Sequence, residues 1–144
     1  MTRGSEGQLT GRRALVVEDD EAIAELWTQV LAAEGCEVRR QESALGVAGL
    51  LRQWRPDVIL LDLGLPYRSG AALLAELKAD AETAPIPVVV LSGAPESLTA
   101  ERAELAAAVL GKPVSLGRLR QVVQDAIAGT LRRRWRPGTR LAAG

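Results

Sequence analysis

Two patterns of apolar and polar positions alternate along the 144-residue chain. Short runs of consecutive apolar residues predict buried strands, and apolar residues three and four positions apart predict helices with one packed face. Apolar runs predict strands at 13–17, 58–61, 87–91 and 108–110, and a weaker run predicts one at 36–40. The helical spacing follows each strand in turn, at 23–31, 47–54, 73–77, 98–105 and 116–127.

This alternation of strand and helix predicts parallel βαβ units. Strands that are apolar on both faces need helices on both sides of the sheet, and right-handed crossovers leave few topologies for it. Trp27 and Trp54 fall on apolar helical faces, so we expect both in the core. Open parallel sheets bind ligands at the carboxyl ends of their strands, so the residues directly after each strand are the first candidates for chemistry.

Charged or hydroxyl side chains follow four of the five predicted strands, whereas the second strand ends in arginines and offers no obvious chemistry. The candidates are Glu18, Asp19 and Asp20 after the first strand, Asp62 after the third, Ser92 after the fourth and Lys112 after the fifth. Carboxylates that meet at one edge repel each other unless a cation joins them, and Mg²⁺ prefers such oxygen ligands. A lysine and a hydroxyl suit a phosphoryl group, and a carboxylate can itself become an aspartyl-phosphate.

Composition removes several classes of protein. The chain has no histidine, which excludes Ser-His-Asp and Cys-His catalysis and the commonest transition-metal ligand. Its one cysteine, Cys36, cannot form an internal disulfide, so we expect a reducing compartment, the cytoplasm. No apolar stretch approaches the ~20 residues of a membrane span, and the N-terminus lacks the apolar core of a signal peptide. We therefore expect neither a membrane protein nor a secreted one.

The net charge of zero hides an asymmetry. Residues 131–144 hold five arginines and no acidic residue, so residues 1–130 hold 13 basic and 18 acidic residues. We predict a flexible N-terminal segment at 1–11, one domain at 12–129 and a basic C-terminal tail at 130–144. A solvated end is our preferred interpretation of the tail, although Trp135 among the arginines would also suit a contact with nucleic acid or an acidic partner.

Four motifs, in this order and spacing, resemble the receiver domain of two-component response regulators, the CheY-like superfamily. They are VVEDD, LLDLGLP with a glycine after three more residues, VVVLSG and GKP, and the resemblance covers roughly residues 12–128. It implies an α/β fold, a doubly wound flavodoxin-like (βα)5 sandwich whose parallel five-stranded sheet has the order 2-1-3-4-5.

The resemblance also implies a role for each motif residue. Asp62 would be the phosphoacceptor, Ser92 the switch hydroxyl and Lys112 the lysine that contacts the phosphoryl group. Mg²⁺, or Mn²⁺, would be held by Glu18, Asp19, Asp62 and the backbone carbonyl of Gly64. Asp20 comes one position too late for the metal motif and would cap the first helix. Pro66 and Gly70 match the loop and the start of the third helix, and the Lys112–Pro113 bond is usually cis in the family.

The implied function is transfer of a phosphoryl group from a partner phosphohistidine to Asp62, which then switches a protein-interaction surface. The donor would be a histidine kinase or a histidine phosphotransfer protein, and the reader a downstream protein target. Such a domain catalyses only its own phosphorylation and dephosphorylation, so we do not expect an enzyme in the ordinary sense. It would stand alone or belong to a larger regulator or hybrid kinase. No sequence feature decides whether it forms a homodimer, and we expect no nucleic-acid partner beyond the basic tail.

Other classes fit less well. A P-loop enzyme needs GxxxxGK[ST], which is absent, and an aspartate-nucleophile phosphatase needs a second aspartate where Gly64 stands. A flavin module would have a hydroxyl-rich phosphate loop after the first strand. The serious alternative is a receiver-like docking module that is never phosphorylated.

Three features depart from the family pattern. The stretch between Ser92 and Lys112 is about two residues short, which affects the fourth helix and its output surface. Val109 occupies the position of the aromatic switch residue, three before the lysine. Gly64 and Ala94 flank the acceptor without side chains that could orient an attacking water, so we expect slow self-dephosphorylation.

Overall fold

The apolar runs and helical repeats form ten alternating elements in the computed structural model, which describes residues 7–65 and 69–130. The strands are β1 Arg13–Val17, β2 Glu37–Gln41, β3 Val58–Asp62, β4 Val88–Ser92 and β5 Ala108–Gly111. The helices are α1 Glu21–Ala33, α2 Val47–Gln53, α3 Gly70–Ala79, α4 Ala100–Ala103 and α5 Leu116–Ala128. All neighbouring strands are parallel, in the order β2-β1-β3-β4-β5, which confirms the predicted flavodoxin-like sandwich.

The register of the sheet brings the strand ends together. Val17 pairs with Leu61, Asp62 with Leu91 and Ser92 with Gly111. The residues after β1, β3, β4 and β5 therefore emerge side by side at one edge of the sheet. This edge holds the residues that the sequence singled out for chemistry.

The core consists of two apolar clusters, one on each face of the sheet. Alternate residues of a strand point to opposite faces, so Ile59 and Leu61 enter one cluster while Val58 and Leu60 enter the other. Helices α2, α3 and α4 cover the first cluster, and α1 and α5 cover the second. Burial of each large apolar side chain contributes roughly 1.5–3 kcal/mol, so both helical layers hold the sheet edge in place.

Trp27 and Trp54 lie in the core as predicted, Trp27 in the second cluster and Trp54 in the first. Leu26 belongs to the same helical repeat as Trp27, yet it is 47% exposed. The buried stripe of α1 runs through Ala24, Trp27 and Leu31. Leu26 lies about 100° around the helix from Trp27, which turns it away from the sheet.

Helix α1 begins after its predicted cap, Asp20. The Asp20 carboxylate accepts a hydrogen bond from the Ile23 N–H at 3.0 Å, so Asp20 is the N-terminal cap. Gly35 follows the helix in the left-handed region, with φ of 92°, a conformation that suits glycine. The cap fixes the start of α1 directly beside Glu18 and Asp19.

The fourth helix is shorter than the predicted 98–105. It spans only Ala100–Ala103 and follows a 3₁₀ turn at Pro95–Ser97. Thr99 caps it by accepting a hydrogen bond from the Arg102 N–H at 3.2 Å, so the helix cannot begin earlier. The chain must then leave the helix at once to reach β5 at Ala108. The strands agree with their predicted positions to within one residue at each end.

Part of the N-terminal segment packs against the domain. Leu9 is only 2% exposed, belongs to the second cluster, and donates its N–H to the Glu34 carbonyl at 2.9 Å. The predicted flexible segment at 1–11 therefore includes packed residues, and its residues 1–6 lie outside the described ones. The arginines of the predicted tail, Trp135 and Pro66 also lie outside them. Within the described ranges, no helix has the length and apolar character needed to cross a membrane.

Candidate functional site

An acidic cluster lies where β1 and β3 end. Asp62, the last residue of β3, and Glu18, the first residue after β1, are 6% and 4% exposed, while Asp19 is exposed to solvent. One carboxylate oxygen from each of the three lies within 4.8 Å of the others. The structure thus brings together the three acidic residues that were predicted as metal ligands.

Lys112 reaches this cluster from the loop after β5. Its Nζ donates to Asp62 Oδ1 at 3.0 Å and to Glu18 Oε1 at 3.1 Å. Burial lowers the pKa of Lys112, but the hydrogen bonds to Asp62 and Glu18 outweigh it and raise the pKa, so the lysine stays charged. The single ammonium balances one of three carboxylates, which leaves two negative charges when all three are ionised.

Glu18 shows the opposite balance of forces. Burial raises its pKa, and the nearby Asp62 charge raises it further. The Asp20 N–H, which donates to Glu18 Oε2 at 3.1 Å, and Lys112 lower the pKa without reversing the shift. The ion pair with Lys112 therefore does not by itself compensate for the burial of this carboxylate.

The donor set fits a divalent cation that prefers oxygen. All three candidate ligands are carboxylates, their oxygens are close enough to share one ion, and their excess negative charge equals the charge of Mg²⁺ or Mn²⁺. No histidine or thiolate lies in the cluster, so a softer metal has no preferred ligand. Gly64, whose carbonyl is the expected fourth ligand, follows Asp62 by two residues and is exposed.

Ser92 ends β4 at the same edge and is buried. Its Oγ accepts a hydrogen bond from the Ala94 N–H at 3.0 Å, within the loop that leads to α4. The Ser92 carbonyl accepts a second bond, from the Lys112 N–H at 2.7 Å, which ties the β4 end to the loop after β5. The Lys112–Pro113 peptide bond in that loop is cis.

Three features of the site were not apparent in the sequence. Gly70 was expected only to begin α3, yet a Cβ there would lie 2.5 Å from the Asp62 carbonyl oxygen. Arg40, at the end of β2, lines a cavity of about 320 Å³ together with Glu18 and Asp19, although its strand offered no obvious chemistry. Trp27, expected only in the core, lies beside Lys112. Each feature depends on contacts between different elements of the fold, and no local pattern signals them.

Comparison with protein families and with known proteins identifies relatives of this chain. The family model for the response regulator receiver domain matches residues 14–124. The polar-differentiation response regulator DivK of Brucella anthropi is 31% identical over 116 residues, which cover 79% of this chain and 94% of that protein.

Solved structures with a similar fold also match this chain. The crystal structure of a sensor protein from Polaromonas sp. JS666 has a TM-score of 0.77 and 28% identity, and the match covers 84% of this chain and 99% of that one. A CheY-like receiver domain from Methylobacillus flagellatus has a TM-score of 0.72 and 30% identity, covering 80% and 98%.

The sheet, its acidic edge and the neighbouring lysine together define a receiver domain. The chain belongs to the response regulator receiver domain family of two-component signalling. Receiver domains of this family bind Mg²⁺ at an acidic pocket and have histidine kinases as partners.

Proposed function

We propose that this chain accepts a phosphoryl group on Asp62 from a partner phosphohistidine, with Mg²⁺ or Mn²⁺, and thereby switches a protein-interaction surface. The contact of 3.0 Å between Lys112 Nζ and Asp62 Oδ1, within the acidic cluster, is the observation that carries the proposal. Burying a carboxylate at a strand end costs free energy, and a neighbouring cation offsets part of that cost. Titratable groups held in such surroundings are often functional.

In the transfer, an Asp62 oxygen attacks phosphorus in line with the donor imidazole. The new P–O bond forms as the P–N bond breaks, and the electron pair of that bond stays on the imidazole nitrogen. Glu18, Asp19, Asp62 and the Gly64 carbonyl would hold the metal, which supplies positive charge against the phosphoryl oxygens. Lys112 already carries its charge at Asp62 and would follow the phosphoryl group by donating hydrogen bonds to it.

The switch would begin at Ser92. The phosphoryl group brings nearly two negative charges, which attract the Ser92 hydroxyl as a hydrogen-bond donor. Its Oγ would then give up the hydrogen bond that it accepts from the Ala94 N–H at 3.0 Å. This movement shifts the loop that leads to α4 and changes the surface formed by α4, β5 and α5. Val109 is buried and has no ring to rotate, so the signal would travel through the backbone of this loop.

The expected donor is a histidine kinase or a histidine phosphotransfer protein, and the expected reader is a downstream protein, in the cytoplasm. The alternative is a docking module that is never phosphorylated. Val109 and the four-residue α4 favour that alternative, because both depart from the family at the output side. The complete acidic cluster with Lys112 favours the phosphoacceptor.

Labelling by a small phosphodonor tests the proposal. With acetyl phosphate and Mg²⁺, we expect the wild type to gain the mass of one phosphoryl group and Asp62→Asn to gain none. Asp80→Asn is the matched control, since Asp80 is an exposed carboxylate that caps a turn after α3, away from the cluster. Retained labelling of Asp62→Asn would contradict the assignment of Asp62 as the phosphoacceptor. A wild type that is neither labelled nor shifted by beryllofluoride in its NMR spectrum would establish the docking module instead.

A further inference from the structure

The ammonium group of Lys112 has an aromatic neighbour in addition to its two carboxylates. Its Nζ lies 5.6 Å from the centroid of the Trp27 ring. Cations within about 6 Å of an aromatic centroid are attracted to the negative face of the ring. The contact joins α1 to the loop after β5, two segments far apart in the sequence.

Trp27 is a rigid support for such a contact. Trp27 is only 3% exposed and belongs to the second cluster, together with residues of the sheet and α5. It also forms one wall of an apolar cavity of about 300 Å³ that Lys112 borders, together with Ile23, Pro113 and Val114. The lysine itself is a flexible four-carbon chain, and fixing it costs up to about 2 kcal/mol of rotamer entropy. A fixed ring reduces the positions that the ammonium can take.

The carboxylates cannot supply this support throughout the reaction. Asp62 and Glu18 hold Lys112 now, but both are also expected ligands of the metal. Once a cation shares their charge, their hold on the ammonium weakens, and transfer converts the Asp62 carboxylate into an acyl phosphate. The Trp27 ring is neither a candidate metal ligand nor a reacting group, so neither metal binding nor transfer alters the ring itself.

We propose that Trp27 is a positioning residue. Its ring holds the ammonium of Lys112 at the sheet edge beside Asp62 while Asp62 and Glu18 bind the metal and Asp62 accepts the phosphoryl group. The inference rests on the proposed function, because it concerns the same transfer to Asp62. It goes beyond a core role for Trp27, since a merely structural residue would affect stability without setting the place of one ammonium group.

The composition of the chain gives a direct spectroscopic test. Lys78 and Lys112 are its two lysines, so lysine labelled with ¹³C at Cε gives two signals. Lys78 serves as an internal reference, because its Nζ donates to the Ala84 and Ile86 carbonyls, and none of the cation–ring contacts among the described residues involves it. We expect the Lys112 Hε protons of the wild type to be shifted upfield by the indole ring current, and Lys112→Met identifies the signal.

Three variants complete the experiment. Trp27→Leu removes the ring, Trp27→Phe keeps a smaller one, and Trp54→Leu is the matched control. Trp54 is equally buried at 4% and lies under Arg13 and Arg39, on the face of the sheet opposite Trp27. We expect Trp27→Leu to lose the upfield shift and to label with acetyl phosphate roughly 2- to 30-fold more slowly, the range that a cation–π contact carries. Trp27→Phe should keep part of both, and Trp54→Leu should match the wild type, each measured below its unfolding temperature.

Several results would overturn the inference. A Lys112 signal that is not shifted in the wild type, or not changed in Trp27→Leu, excludes the ring contact. A labelling rate of Trp27→Leu equal to that of Trp54→Leu excludes a positioning role while leaving the proposed function intact. An unlabelled wild type instead overturns the proposed function, and the inference with it. If Trp27→Leu does not fold, the shift in the wild type and the two readouts of Trp27→Phe decide.

Discussion

Gly70 begins α3 against the backbone of Asp62. A Cβ on Gly70 would lie 2.5 Å from the Asp62 carbonyl oxygen and 2.7 Å from the Leu63 Cα, closer than side chains approach backbone atoms. The Gly70 N–H donates to the Leu63 carbonyl at 3.0 Å, so the helix start is fixed to the strand end. The absence of a side chain at Gly70 thus determines where the acceptor lies.

We expect Gly70→Ala to destabilise the domain by about 1–3 kcal/mol, because both atoms that the new methyl group meets belong to rigid backbone. Gly49→Ala is the matched control. Gly49 lies inside α2 with open space around it, so alanine there should stabilise by about 0.5–1 kcal/mol. Urea unfolding measures both, and a Gly70→Ala protein as stable as the wild type would contradict the close approach.

Divalent cations should stabilise the folded chain without any phosphodonor. The clustered oxygens of Glu18, Asp19 and Asp62 exist only in the folded state, so Mg²⁺ at about 100 times its dissociation constant should add about 2.7 kcal/mol. Thermal unfolding with and without Mg²⁺ measures the gain. We expect Asp19→Asn to lose most of it and Asp80→Asn to keep it. An equal gain in both variants would show that Mg²⁺ acts elsewhere.

The phosphorylated form should be long-lived. Gly64 carries no side chain, although a Cβ there would lie only 3.8 Å from Asp62 Oδ2, within reach of an attacking water. After removal of the phosphodonor, we expect the label to persist for minutes or longer in Mg²⁺ buffer, and Gly64→Asn to shorten its lifetime. Intact mass measured over time follows both proteins. Complete loss of the wild-type label within seconds would refute the expectation.

The thiol of Cys36 should be unreactive. Burial raises its pKa to about 11, and the charges of Asp57 and Glu37 contribute to the shift. Relative to the ordinary value of 9.0, the thiolate fraction at pH 8 falls about 100-fold, so alkylation of the native protein should be slow and should become fast in urea.

The same shift predicts a pH dependence of stability. The folded pKa lies above the unfolded one, so the contribution of the protonated thiol is complete below pH 9 and is lost as the pH rises toward about 11. Cys36→Ala should remove this part of the loss of stability at alkaline pH.

For both predictions, rapid alkylation of the folded wild type at pH 8 would be inconsistent with a buried thiol.

The fold was predictable because burial on both faces of a parallel sheet leaves continuous apolar runs in the sequence. Asp62 and Lys112 were predictable as neighbours for a related reason, since parallel strands deliver their last residues to one edge. The short stretch before Lys112 indicated a change in α4, but the extent of that helix was missed, because the position of β5 limits its length. The roles of Gly70 and Trp27 were also missed. Gly70 is limited by the backbone at the end of β3, and Trp27 contacts a lysine in the loop after β5. Neither contact leaves a repeating pattern in the sequence.

Glu34 joins three parts of the chain at the edge of the sheet opposite Asp62. Its Oε1 accepts from the Gln8 N–H at 3.2 Å and from Gln124 Nε2 at 3.3 Å, which links the segment around Leu9 to α1 and α5. The described chain therefore starts and finishes on the side remote from the acceptor. A donor protein can therefore approach the edge beside Asp62 without meeting either end of the described chain.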